Sequence, residues 1–242
     1  MVSSPFLSII IPAYNEEARL AETLPVLKEF LERQEYSWEV VLVDDGSSDR
    51  TSEVIHQFFT PEEARSFKNS PNRGKGYSIR RGVEEARGEI LLFSDADFST
   101  PIDEFQKLYH HIQNGYEIAI GSRSLPESDL QVHQAWYREG MGKVFNLLVQ
   151  GILLRGFKDT QCGFKCVRRK DAAPIFSQLT IDGFSYDVEF LFLAQKNGLK
   201  IKETPVLWRN HPDSRVRIVQ DSFRMLTDLI TVRFRDLFGQ YD

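Results

Sequence analysis

The run Leu7-Ser8-Ile9-Ile10-Ile11-Pro12 constrains the fold of this chain more than any other stretch. A short, continuous apolar segment, rich in β-branched residues and stopped by a turn signal, suits a strand buried on both faces. Beyond it the chain keeps a regular pace. Apolar positions at Leu20, Leu24, Leu27 and Leu31 have helical spacing, with Asn15 as the expected N-cap. A second strand is predicted over 38–43, then a helix over 51–59, a helix over 76–86, a strand over 90–93, a helix over 101–113 and a strand over 118–121. Strands alternating with helices predict an α/β fold, a mostly parallel sheet flanked by helices. Ligands of such sheets collect outside the carboxyl ends of the strands, so the polar clusters after the first, second and fourth strands should converge on one crevice.

After Leu125 the alternation lapses. A polar stretch reaches Gln134, a helix is predicted over 137–154, and Asp159-Thr160-Gln161 interrupts the chain. Regular structure returns as a helix over 187–197, a strand over 201–208 and an amphipathic helix from about 219 to 237. On that last helix Phe223, Leu226, Ile230, Phe234 and Leu237 fall near one face, a stripe expected to pack on the core. Docking on anionic lipid is the alternative use, with 144–154 as a second apolar surface. Without a repeat or a separating linker, 1–242 reads as a single domain with an irregular second half.

Charge and cysteine usage narrow the function classes. Thirty basic against thirty-five acidic residues leave a formal charge of -5, so nucleic acid is not an expected partner and an anionic ligand must be held locally. Cys162 and Cys166 are too few for a disulfide framework and lack histidine partners for zinc, which points to a reducing, cytoplasmic setting. Residues 1–6 carry no basic region leading into a long apolar run, so no signal peptide is expected. The longest apolar stretch falls short of the roughly 20 residues a spanning helix needs. Integral insertion is therefore not expected, although the chain could lie on a bilayer surface.

Three clusters carry the chemistry. Asp95-Ala96-Asp97 directly follows a strand and projects two carboxylates within reach of one hard cation such as Mg²⁺ or Mn²⁺. Asp44-Asp45-Gly46-Ser47 ends another strand, where a carboxylate can meet a base or ribose, or can simply shape a turn. Asn72-Arg73-Gly74-Lys75-Gly76 opens a helix with a flexible cationic turn suited to phosphate or base contact. The glycines at 74, 76 and 82 do not make G-x-G-x-x-G, and neither a P-loop nor a G-x-S-x-G elbow occurs. Nucleotide binding must use another architecture.

Pro12-Ala13-Tyr14-Asn15-Glu16, Val43-Asp44-Asp45-Gly46-Ser47-Ser48-Asp49, Asn72-Arg73-Gly74-Lys75-Gly76, Asp95-Ala96-Asp97 and Gly121-Ser122-Arg123 stand in this order. Together they resemble the family 2 glycosyltransferases of the GT-A fold. Asp159-Thr160-Gln161-Cys162-Gly163-Phe164-Lys165, Phe184-Ser185-Tyr186-Asp187-Val188-Glu189 and Pro205-Val206-Leu207-Trp208 look most like the dolichyl-phosphate glucosyltransferase branch. The mannosyl-phosphate synthases are next in likeness; they commonly carry a glutamine two positions after the second aspartate, where this chain has Ser99. The resemblance implies a nucleotide-sugar-binding half over 1–123, an acceptor-side half over 124–215 and a C-terminal amphipathic helix over 216–242.

The resemblance also implies roles. Pro12, Tyr14 and Glu16 would wall the nucleotide pocket, Asp44 or Asp45 would meet the uracil or ribose, and Lys75 would close over the base. Asp95 and Asp97 would serve donor and metal, with Asp97 the direct ligand, and Arg123 would hold donor phosphate. Arg138, Gln161, Ser214 and Arg215 are candidates for the acceptor phosphate. Asp187 and Glu189 open a predicted helix whose dipole favours carboxylates, and in hydroxyl-directed relatives an acid near here is the general base. The implied reaction is inverting, metal-dependent transfer of glucose from UDP-glucose to a polyprenyl phosphate at the cytoplasmic membrane face. GDP-mannose as donor, or a sugar or protein hydroxyl as acceptor, are the alternatives. Outside enzymes, a receiver-like phospho-binding module would also place acidic pairs on a parallel sheet.

Overall fold

The computed structural model describes residues 4–132, 136–210 and 218–241. Strands β1 (Leu7–Ala13), β2 (Trp38–Asp44), β3 (Ala64–Lys68), β4 (Ile90–Phe93), β5 (Ile118–Ser122), β7 (Lys165–Arg168) and β8 (Ile201–Pro205) form one sheet in the order β3-β2-β1-β4-β7-β5-β8. All neighbours in it are parallel except β7, which runs antiparallel to both β4 and β5. Strands β6 (Asp129–Val132) and β9 (Leu207–Arg209) pair separately.

Helices cover both faces, and the strands show why they had to be apolar throughout. In β1, Ile9 and Ile11 point to one face, where they meet Leu20, Leu24 and Leu27 of α1 (Glu17–Glu32) and Phe105 and Leu108 of α4 (Phe105–Gln113). Ile10 points to the other, against Ile79 and Val83 of α3 (Lys75–Glu85), in a cluster that extends to α6 (Arg169–Phe176) and α7 (Tyr186–Lys196). Val40 and Leu42 of β2 join the first cluster, Val41 and Val43 the second. Each such aliphatic side chain, fully buried, contributes on the order of 1.5–3 kcal/mol. Helix α3 lies close on β1 because Gly82 faces Ile10, where a Cβ would sit 2.3 Å from Cγ2.

Several expectations need correcting. Asn15 does not cap α1; it takes φ 53°, its backbone N–H donates to Ser47 Oγ and its side-chain oxygen accepts from Ser48 N–H, while Glu16 occupies the cap position. The helix over 51–59 is a single turn, α2 (Thr51–Val54), continued as a 3-10 turn. The strand over 201–208 is two strands in different sheets, parted at the buried Val206. On α8 (Ile218–Leu237) the expected core stripe is the outward face: Phe223, Ile230, Phe234 and Leu237 are exposed, and Leu229 and Val232 are buried instead. Helix α8 packs beside α5 (Trp136–Ile152), whose Val144 and Leu147 are also exposed. No helix among the described residues is long and apolar enough to cross a membrane.

The topology sets the place of the site. The chain leaves β1 for β2 and β3 on one side, then returns to β4 on the other, so a crevice opens at the carboxyl ends of β1 and β4. The antiparallel β7 brings 159–165 to the rim of that crevice from the far half of the chain.

Candidate active site

A cavity of about 250 Å³ occupies this crevice. Its floor is the turn after β4. Ser94 N–H continues the pairing to Ile10 O, then Phe98 adopts φ 44° and Ser99 N–H caps Asp97 Oδ1 at 2.9 Å. A positive φ at a bulky residue is uncommon and occurs where local geometry is over-determined; here it turns Asp95 and Asp97 toward the cavity they line. Gly163 forms the opposite wall. A Cβ at that position would lie 2.3 Å from Asp95 Oδ2, so a side chain there would drive the carboxylate away.

Lys75 opens α3. Gly74, at φ 106°, lets the chain press against the Asp182 carbonyl, which accepts from Gly76 N–H at 2.8 Å. Lys75 Nζ then reaches Asp95 Oδ1 at 2.5 Å. Burial opposes charge on this ammonium, but the Asp95 and Asp187 carboxylates outweigh it and raise the Lys75 pKa. Burial likewise opposes ionisation of Asp95, and Lys75, Lys165 and Arg123 overcome it, holding that carboxyl below its ordinary range.

Arg123, just past β5, is held by a two-point fork. Its Nε donates to Asp159 Oδ2 at 2.7 Å and its Nη2 to Oδ1 at 2.9 Å, with Arg123 N–H adding a third bond to the same carboxylate. Burial again opposes the charge, yet the guanidinium brings the Asp159 carboxyl down to about 2. The guanidinium lies over the Trp208 ring, 5.6 Å from its centroid. Lys165, the first residue of β7, donates to Asp187 Oδ1 and to the Cys162 carbonyl, each at 2.5 Å. Burial and the Asp159 charge push the Cys162 thiol upward, which suits a packed wall rather than a nucleophile.

The cavity thus gathers Lys75, Asp95, Asp97, Arg123, Gln161 and Asp187. Among the described residues no group of three or more His, Cys, Asp or Glu gathers to hold a metal by itself. The other expected residues lie elsewhere. Pro12, Tyr14, Glu16, Asp44 and Asp45 sit at the adjoining ends of β1 and β2 and do not line the cavity. Tyr14 is exposed, whereas Asp44 and Asp45 are buried and engaged. Asp44 accepts from Ser47 N–H and the Ser52 hydroxyl, and Asp45 from Asn69 Nδ2 and the N–H groups of Arg73 and Gly74. Asp45 therefore shapes the turn that presents Lys75.

Glu189 departs from its expected chemical role. Its carboxylate is completely buried and accepts from Thr180 N–H, the Thr180 hydroxyl, Ile181 N–H and the Tyr241 hydroxyl. Occupied in this way, it fixes the 180–183 turn beneath α3 and does not line the cavity. Arg138 belongs to α5, but its side chain lies outside those described, as do Ser214 and Arg215 entirely. Sequence reasoning assigns no role to Asp159, Lys165 or Trp208. Their sequence signal is membership of the 159–165 and 205–208 stretches, which carry the resemblance without fixing a role for any of the three.

The model of glycosyl transferase family 2 matches residues 8–176. The chain belongs to this family. It is 36% identical to a dolichyl-phosphate beta-glucosyltransferase of Dictyostelium discoideum, over 98% of this chain and 77% of that protein. A protein of the same name from Saccharomyces cerevisiae is 35% identical over 98% of this chain and 76% of its own length. Among solved structures, glucosyl-3-phosphoglycerate synthase from Mycobacterium tuberculosis, in complex with Mn²⁺ and UDP-glucose, superimposes with a TM-score of 0.66 at 18% identity, covering 95% and 79% of the two chains. The fold is GT-A and the protein is a glycosyltransferase. Membership of the family sets the receiver-like module aside.

Proposed function

We propose that the transferase moves glucose from UDP-glucose to a polyprenyl phosphate of the dolichyl type, with inversion at the anomeric carbon. The observation that carries this is the cavity itself: two carboxylates, Asp95 and Asp97, and the cations Lys75 and Arg123 line one crevice, with Lys75 paired to Asp95. The names of the relatives supply the sugar and the lipid. The UDP-glucose complex of a structural neighbour supports the donor.

The donor set suits a divalent cation. Two hard carboxylates, with no third acid grouped beside them for a metal among the described residues, match the way Mg²⁺ or Mn²⁺ is held, since such ions keep positions for substrate phosphates and water. Asp95 and Asp97 would hold it, and the ion would neutralise charge on the departing diphosphate. The protein's own groups do the rest. Arg123 commits Nε and Nη2 to Asp159, leaving Nη1 for a phosphate oxygen. A phosphate acceptor is already an oxyanion at neutral pH, so it needs orientation and charge balance rather than a base. That requirement fits Asp187, whose carboxylate is tied to Lys165.

The acceptor's lipid also gives the exposed apolar face of α5 and α8 a use. Met225 of α8 lines the cavity, and Phe223, Ile230, Phe234 and Leu237 of the same helix are exposed. Peripheral docking on the cytoplasmic membrane face accompanies this function, and failure to sediment with anionic liposomes at low salt would remove it.

The test incubates purified protein with Mg²⁺ or Mn²⁺, polyprenyl phosphate and each nucleotide sugar in turn. Glucosylated lipid should form from UDP-glucose. Product from GDP-mannose alone would overturn the donor, and transfer only to sugar or protein hydroxyls would overturn the acceptor.

A further inference from the structure

Lys75 stands apart from the other cations of the cavity. Arg123 is fixed by Asp159 through two guanidinium nitrogens and a backbone bond. Lys165 is enclosed, 1% exposed, between Asp187 and the Cys162 carbonyl. Lys75 has one ion-pair partner among the described residues, Asp95, and its side chain is a fifth exposed on a flexible four-carbon stem. Asp97 carries no ion pair among the described residues; Ser99 N–H is its hydrogen-bond donor. The charges therefore resolve into three compensated pairs and one carboxylate left over.

We propose that Lys75 is a displaceable counter-ion: it holds Asp95 until a nucleoside diphosphate arrives, and so makes divalent-cation binding at Asp95 and Asp97 depend on the nucleotide. This rests on the cation site proposed above. A cation entering alone would meet an ammonium already seated on one of its two carboxylates, and like charges at such separations repel strongly away from bulk water. Among the described residues the ammonium has no spare carboxylate to retreat to, because Asp187 is committed to Lys165 and Asp97 is the entering cation's other ligand. A diphosphate provides one, as ammonium-to-phosphate hydrogen bonds are among the stronger kind. Lys75 then transfers to the diphosphate and Asp95 is released to the cation. Only the side chain has to move, since the Asp182 carbonyl anchors the backbone through Gly76 N–H at 2.8 Å and Tyr77 N–H at 3.2 Å. Coupling of this kind is reciprocal, so the cation strengthens nucleotide binding by the same factor.

The experiment titrates Mn²⁺ against the protein in the absence and presence of saturating UDP, with free Mn²⁺ read by electron paramagnetic resonance and corrected for the Mn²⁺ that UDP binds without protein. UDP should tighten Mn²⁺ binding to the unmodified protein by roughly tenfold or more. In Lys75→Met, Mn²⁺ alone should bind roughly tenfold more tightly than to the unmodified protein, and the effect of UDP should shrink by about the same factor, leaving the part that direct phosphate ligation supplies. Lys75→Arg, which keeps a cation, should keep the dependence on UDP. Thermal unfolding checks that each variant is folded; if Lys75→Met is not, Lys75→Gln takes its place with the same expectation. Mn²⁺ affinity without UDP that is unchanged by removing the ammonium overturns the proposal and leaves the cation site standing. No Mn²⁺ binding even with UDP, or binding untouched by Asp97→Ala, overturns the cation site and this proposal together.

Discussion

Lys165 Nζ lies 2.5 Å from Asp187 Oδ1, with the two side chains 1% and 4% exposed. The pair joins the start of β7 to the start of α7, and through the Cys162 carbonyl it also fixes the loop carrying Gly163. Breaking it from one side leaves a buried charge without compensation. Lys165→Met should destabilise the fold by about 3–5 kcal/mol in urea unfolding. Adding Asp187→Asn to it should recover part of that loss; a double variant no more stable than Lys165→Met would show that the pair does not act as a unit.

Asp159 gives a pH signature. Its carboxyl is brought from 3.8 to about 2 in the folded protein, so as pH falls the unfolded chain takes up the proton first. The stabilisation is present above about pH 4 and is lost as pH falls through about 2; for a group this buried it is worth roughly 2 kcal/mol. Unfolding free energies measured between pH 5 and 2 should fall more steeply in the unmodified protein than in Asp159→Asn, by about that amount. Parallel profiles would refute the assignment.

Asp187 and Glu189 separate two uses of a buried acid. Glu189→Ala removes the acceptor for two backbone N–H groups and two hydroxyls, and should cost about 3 kcal/mol or more of stability. Its folded fraction should keep transfer within roughly an order of magnitude of normal, because Glu189 does not face the cavity. Asp187→Asn leaves the Lys165 ammonium buried without its partner, so it should cost about 3–5 kcal/mol of stability as well, and its folded fraction should lose more transfer than that of Glu189→Ala, because Asp187 lines the cavity. Equal losses of transfer per folded molecule would contradict this division.

Gly163→Ala probes the wall opposite Asp95. The added methyl would lie 2.3 Å from Asp95 Oδ2, so the carboxylate must leave its position beside Lys75. Transfer should drop by at least about tenfold, the scale on which small displacements of positioning groups act, with unfolding little changed because the carboxylate can rotate outward. Unchanged transfer would mean that Asp95 has no fixed role.

The parts of the molecule legible in the sequence are those whose cause is local. Strands β1, β2, β4 and β5 could be read because a strand covered on both faces is apolar at nearly every position, the buried Ser8 and Glu39 being paired with each other. Strand β3, Ala-Arg-Ser-Phe-Lys at the sheet edge, lacks that signature. Strand β7 begins with Lys165, a residue that only makes sense inside a protein once Asp187, 22 positions on, is known to be its partner. The same divide runs through the site. Lys75, Asp95, Asp97 and Arg123 came from short motifs and line one cavity. Asp159 could not be foreseen as the anchor of Arg123, 36 positions before it, because sequence carries no distance between separate loops. The stripe on α8 misled for a related reason: periodicity shows that a helix has two faces but not which one finds a neighbour.

The antiparallel β7 leaves this chain without a seam. Cut after Arg123, the first fragment would keep β4 with an open flank and β5 with neither neighbour, since both borrow β7, and β8 likewise comes from the second piece. The two halves are therefore not exchangeable modules. A chimaera built to graft a new acceptor preference onto this donor site would have to carry the 165–168 strand of its original owner, and with it the loop that walls Asp95.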